Sequence, residues 1–95
     1  MIRIVKMTFR KDEVGSFESL FNIVRPKIEE QQGCNGVQLL RDLADRRIYF
    51  TYSTWDSDAD LQAYRNSKLF ADTWAKTKAL FDGKPEAWSV EQQED

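Results

Sequence analysis

Gly33-Cys34-Asn35-Gly36, then Ile48-Tyr49-Phe50-Thr51-Tyr52-Ser53-Thr54-Trp55, then Leu61-x-x-Tyr64-x-x-Ser67-x-x-Phe70 is the stretch that decides the fold. In it a helix stops, a strand of a hairpin runs, and an aromatic-lined helix returns. Gly33 suits the position just past a helix end, where a left-handed residue is needed. Val37 to Leu43 and Ile48 to Trp55 read as two strands joined by the short polar connection Ala44-Asp45-Arg46-Arg47. Ser57-x-x-Asp60 has the form of a capping box opening the helix that carries Leu61 and Tyr64. Ser67 caps a second segment, in which Phe70, Trp74, Thr77 and Phe81 recur at helical steps.

Upstream, Ile2 to Phe9 reads as a first strand. Val5, Met7 and Phe9 point one way; Ile2, Ile4, Lys6 and Thr8 point the other. Asp12 is the expected N-cap of an amphipathic helix with Phe17, Leu20, Phe21, Val24 and Ile28 on its apolar face. Pro26 inside that pattern removes one backbone donor and predicts a kink or a restart near Arg25. Downstream, Asp82-Gly83-Lys84-Pro85 stops the last helix, and Ala87 to Val90 reads as a short final strand.

The order is β-α-β-β-α-β with the second helix broken, an α+β ferredoxin-like pattern with helices on one face of an antiparallel sheet. The other face, with Ile2, Ile4 and either Tyr49 or Phe50, exposes apolar area that predicts a face-to-face homodimer. Residues 1–95 read as one domain, with 90–95 expected to form a frayed polar tail.

Composition removes several function classes. The chain has 14 basic and 16 acidic residues, so no electrostatic argument favours nucleic acid or an anionic membrane. The aromatic strand Tyr49-Phe50-Thr51-Tyr52 superficially suits base stacking, but the glycine-aromatic pattern of RNA-binding sheets is absent. No apolar run approaches the roughly 18 residues of a membrane span. One cysteine and no signal-like start fit a cytoplasmic, reducing setting. With no histidine and one cysteine, the usual ligands of zinc and haem are missing, and only a carboxylate site for magnesium or calcium stays open. Asp56-x-Asp58-x-Asp60 resembles half a calcium loop, but Leu61 stands where that loop needs glycine, and the run reads as a helix start.

Over nearly its whole length the chain resembles the antibiotic biosynthesis monooxygenase domain family of dimeric α+β barrels. The resemblance rests on Gly33-Cys34-x-Gly36 after the first helix, Tyr52-Ser53-x-Trp55 closing the third strand, Leu61-x-x-Tyr64-x-x-Ser67-x-x-Phe70, and Trp88 in the final strand. It implies a pocket between helices and sheet, and an oxygenase that oxidises an electron-rich, anthrone- or quinol-like aromatic without metal or flavin. Haem-degrading members place Asn, Trp and His where this chain has Met7, Tyr64 and Trp74. Quinol-oxidising members commonly carry His at the positions of Tyr64 and Leu69.

Tyr64 is the candidate catalytic group, because a buried phenol can donate to a ligand oxygen or move a proton. Its reference pKa of about 10 makes it a poor base unless a cation such as Arg25 or Arg65 lies beside it. Met7, Phe21, Tyr52, Phe70 and Trp74 are the candidate walls for a hydrophobic aromatic small molecule. Plain core packing is the alternative for each. Trp55 reads as structural, Cys34 as a small buried thiol, and Arg46-Arg47 as a solvated hairpin tip. Asn35 and Arg41 are not assigned to a face. Besides the oxygenase, the same pocket serves a second reading: a non-catalytic dimer that binds or carries a hydrophobic molecule.

Overall fold

The computed structural model describes residues 1–94; Asp95 lies outside the described residues, and with it the end of the expected tail. The elements are β1 (Ile2–Thr8), α1 (Val14–Glu29), β2 (Cys34–Arg41), β3 (Ile48–Trp55), α2 (Asp58–Arg65), α3 (Lys68–Lys78) and β4 (Glu86–Val90). The strands form one antiparallel sheet in the order β2-β3-β1-β4, the ferredoxin-like arrangement, with the second helical region in two pieces.

Sheet register decides which side chains meet the helices. Met7 pairs with Tyr49, Val5 with Thr51 and with Ala87, and Arg3 with Ser53 and Ser89. Across the other ladder, Val37 pairs with Ser53 and Leu39 with Thr51. These residues share the helix-covered face, where Met7, Val37, Tyr49 and Trp55 join Phe9 and the α1 residues Phe17, Phe21, Val24 and Ile28 in the buried core. Phe50 therefore faces the open side, as expected, and Tyr49 does not; it is 1% exposed within the core.

Several local expectations are corrected. Asp12 is not an N-cap; it sits in a 3₁₀ turn, Lys11–Glu13, that leads directly into α1. Pro26 does not restart α1, which runs as one helix through Glu29. It costs only the bond to the Asn22 carbonyl, close to the helix end, while Val24 and Ile28 hold the flanking turns in the core. Strand β2 begins at Cys34 rather than Val37, because a bulge between the two, with Gly36 at φ 132°, absorbs the turn residues into the ladder. It ends at Arg41, where Asp42 accepts bonds from the amides of Ala44 and Asp45 and turns the chain. Strand β1 ends at Thr8, leaving Phe9 in an isolated bridge with Phe81. Val90, read both as the end of the final strand and as the start of the tail, belongs to the strand and is paired with Ile2 in β4.

The two caps of the second helical region are as read. Ser57 Oγ accepts from the amide of Asp60 at 3.1 Å and donates to its carboxylate at 3.0 Å. Ser67 Oγ accepts from the amide of Phe70 at 3.1 Å. Two separate N-caps are what break the region into α2 and α3.

Candidate functional site

A cavity of about 260 Å³ lies between the sheet and the three helices, near the lower end of the volumes that hold small organic ligands (roughly 300–1,000 Å³). Its floor is the helix-side face of β1 and β3: Arg3, Val5, Met7, Thr51, Ser53 and Trp55. One wall is the apolar stripe of α1, including Phe17, Phe21 and Val24. The opposite wall comes from α2 and α3 through Tyr64, Arg65, Phe70 and Trp74, and Ala87 of β4 reaches one edge.

The aromatic spacing seen in the sequence becomes a run of rings along that wall. Tyr64 stacks on Trp55 (centroids 5.4 Å apart, planes at 21°) and meets Phe70 edge-on at 5.3 Å. Phe70 in turn stacks on Trp74 at 5.9 Å. Pairs of this kind contribute roughly 0.5–1.5 kcal/mol each beyond the area they bury, so Tyr64 is held from both sides. Trp55 is fixed underneath, 2% exposed, its indole N–H donating to Ser53 Oγ at 3.0 Å.

Burial is the main influence on the Tyr64 phenol. It pushes the pKa up to about 12, with a smaller contribution in the same direction from Cys34. Arg25 and Arg65, the cations that could have made this tyrosine a base, do not counter the effect. Arg25 does not line the cavity; it lies over Phe21 at 5.8 Å and beside Glu29 at 3.9 Å. Tyr64 is thus a neutral phenol across the ordinary pH range, able to donate a hydrogen bond and unable to take a proton.

Of the residues singled out in the sequence, Tyr64, Met7, Phe21, Phe70 and Trp74 come together on this cavity. Tyr52 does not. It pairs with Ile4 and Gln38 on the open face, because Trp55, Ser53 and Thr51 take the inward positions of β3 and alternation turns Tyr52 outward. Asn35 and Arg41 also stay out of the cavity: Asn35 donates to Asp56 at 2.8 Å, and Arg41 lies over the Tyr49 ring at 4.9 Å while donating to the Arg46 carbonyl. Arg47 bridges Asp45 and Asp82, which makes the hairpin end a structural tie rather than a free tip. The half-buried Cys34 thiol has its pKa raised, chiefly by burial, and is poorly ionised.

The sequence reading missed Arg3 and Ser53 in the polar part of the cavity, and named Arg65 only as a cation that could lie beside Tyr64. Arg3 was legible in principle, since it precedes Val5 and Met7 at the two-residue strand period. Among the described residues no cluster of three or more metal-ligating side chains is assembled, and no helix is long and apolar enough to cross a membrane.

The same architecture occurs in known proteins. Rv0793 from Mycobacterium tuberculosis superimposes with a TM-score of 0.88 at 16% identity, over 99% of this chain and 95% of that one. A protein of Nitrosomonas europaea, provisionally named an antibiotic biosynthesis monooxygenase, gives 0.86 at 11% identity over 92% and 84% of the two chains. One from Caulobacter crescentus CB15, provisionally named in the same way, gives 0.86 at 19% identity over 95% and 89%. At these identities the likeness speaks for the fold. No curated protein matches the chain. Sequence carries the family: the profile described as antibiotic biosynthesis monooxygenase matches residues 1–76, from β1 into α3. That match takes in most of the floor and both walls of the cavity, and by it the chain belongs to the antibiotic biosynthesis monooxygenase family.

Proposed function

We propose that this protein is a monooxygenase without metal or flavin, acting on an electron-rich anthrone- or quinol-like aromatic held in the cavity, and that it works as a homodimer joined through the open sheet face. The observation that carries the reading is the Tyr64 phenol, clamped between Trp55 and Phe70 on an aromatic wall and kept protonated by burial. An anthrone-type substrate supplies the reducing electrons itself. Loss of a ring C–H proton to water gives an enolate, which passes an electron to dioxygen. Recombination then forms a hydroperoxide, and loss of water leaves the quinone, with one oxygen atom in the product and the other in water.

The protein's part is to exclude bulk water, orient the flat ring and stabilise charge. Tyr64 donates to the substrate oxygen on which negative charge develops as the proton leaves. This bond is stronger to the enolate than to the neutral ketone, so it lowers the barrier rather than merely tightening binding. Met7, Phe21, Phe70 and Trp74 hold the ring.

The same raised pKa favours a second reading, a non-catalytic carrier of the same molecules, since it denies the cavity a tyrosinate base. Dioxygen uptake over a panel of anthrones and hydroquinones, in wild type and Tyr64→Phe, separates the two. A tenfold or larger loss in the variant, about 1.4 kcal/mol of transition-state stabilisation, is expected. Equal uptake in both removes Tyr64 from the mechanism. Ligand binding without uptake above the spontaneous rate leaves the carrier.

A further inference from the structure

Arg3 and Arg65 are the two cations of a largely apolar cavity, whose other polar lining is Thr51, Ser53, Thr73, Thr77 and, at the edge, Glu86. Arg3 is turned under the helices by strand parity, and its ladder partners Ser53 and Ser89 are small enough to leave the guanidinium room. Among the described residues it makes one side-chain hydrogen bond, to Ser89 Oγ at 3.0 Å, and no ion pair. Arg65 comes from the last turn of α2, next to Tyr64, and donates to Gln62 at 3.3 Å, likewise without an ion pair among the described residues. A guanidinium offers five N–H donors, so both keep most of their capacity unspent.

Two acidic groups are close enough to weigh. Asp58 favours the charged form of Arg3 but is not in contact with it as an ion pair, and Glu86 lines the edge with its carboxylate 3.9 Å from Lys6. Neither neutralises the pair. Arg3 has its pKa lowered, first by burial and then by the nearby charge of Arg65, which marks the two cations as mutually unfavourable neighbours. Placing an anion between them relieves that repulsion, and planar guanidinium forks are well matched to a carboxylate.

We propose that the cavity selects an anionic aromatic, its flat ring against Tyr64, Phe70 and Trp74 and its carboxylate or ionised acidic hydroxyl held by Arg3 and Arg65. The assignment rests on the cavity being a small-molecule site and adds the charge of its ligand. It also gives the site a direction: the anionic substituent faces the arginines, and the oxidisable part of the ring lies along the aromatic wall.

The test is calorimetric binding of 2-naphthoate and its near-isosteric neutral counterpart, 2-naphthamide, to the wild type, Arg65→Gln and Arg3→Gln. The expected result is at least tenfold tighter binding of naphthoate by the wild type. That preference should weaken with added salt and fall to threefold or less in either variant, with naphthamide affinity little changed. Naphthoate and 2-naphthol at a pH above the naphthol's own pKa separate the carboxylate from the ionised hydroxyl as the favoured group. Equal binding of naphthoate and naphthamide by the wild type overturns the charge selection and leaves the cavity reading standing. A preference that survives both substitutions overturns the assignment to these arginines. Failure of both probes to bind overturns the cavity reading, and the proposal with it. Arg65 is on the surface of α2, so Arg65→Gln decides the matter even if Arg3→Gln does not fold.

Discussion

A phenol whose proton is held more tightly in the folded chain than in the unfolded one makes stability depend on pH, and Tyr64 is such a group. Its folded pKa is about 12 against about 10 for a free tyrosine, so between those values the native state binds more protons than the unfolded state. Stability from this group is therefore complete below about pH 10 and is lost as pH rises toward 12. The loss is on the order of 2 kcal/mol. Urea unfolding at pH 9 and pH 11.5 should show a drop in wild type that is smaller by about that amount in Tyr64→Phe. Tyr49 and Cys34 are raised in the same direction and titrate in both proteins, which is why the difference is the informative quantity. Identical drops would show that the Tyr64 hydroxyl is solvated. The wall residues around Tyr64 were legible because helical spacing from Leu61 to Trp74 fixes one face without knowledge of the partners. Tyr52 was not, because Tyr49-Phe50-Thr51-Tyr52 carries aromatics on both parities and polarity alone cannot set the phase of that strand. Arg3 was passed over for a related reason. A cation amid apolar residues looks like a surface residue until the small partners Ser53 and Ser89 are seen across the ladder.

At the scale of elements, the junction between α1 and β2 is locked to the start of α2 by a glycine. Gly33 has φ 80°, its carbonyl accepts from the Asp56 amide at 2.8 Å, and a Cβ there would come within 2.6 Å of the Asp60 Cβ and meet its carboxyl group as well. Asp60 has little room to move aside, since its amide and carboxylate are both engaged by the Ser57 cap. Gly33→Ala thus combines a left-handed backbone penalty with a displaced cap. It should cost on the order of 2 kcal/mol in urea unfolding. A change below about 0.5 kcal/mol would mean that the junction relaxes freely. This element was half legible: glycine after a helix signals a left-handed residue, but the helix ends at Glu29 with Glu30 as its cap. The positive φ serves the approach to α2, a contact between distant segments that spacing cannot reveal.

For the whole molecule, the two faces of the sheet differ in what covers them. Helices bury one face; the other carries a row from Gln38 through Tyr52 and Ile4 to Trp88, with Leu40 beside Phe50 and Val90 beside Ile2. Leu40, Trp88 and Val90 are 45%, 43% and 41% exposed. Exposed apolar residues at this density, interrupted by Gln38 and by the Lys6–Glu86 pair, are uncommon on a monomer. A second copy can cover it through a two-fold axis, which sets the same surface against itself and needs no complementary partner. The proposed homodimer puts Trp88 and Leu40 at opposite edges of the buried patch, since β4 and β2 are the two edge strands. Sedimentation at micromolar concentration should therefore give a dimer for wild type. Trp88→Asp and Leu40→Asp, each placing an unpaired charge in the interface, should give folded monomers with the wild-type circular dichroism. A monomeric wild type would refute the face-to-face assembly. A dimer that persists in both variants would move the contact elsewhere, and the open face would then need another partner.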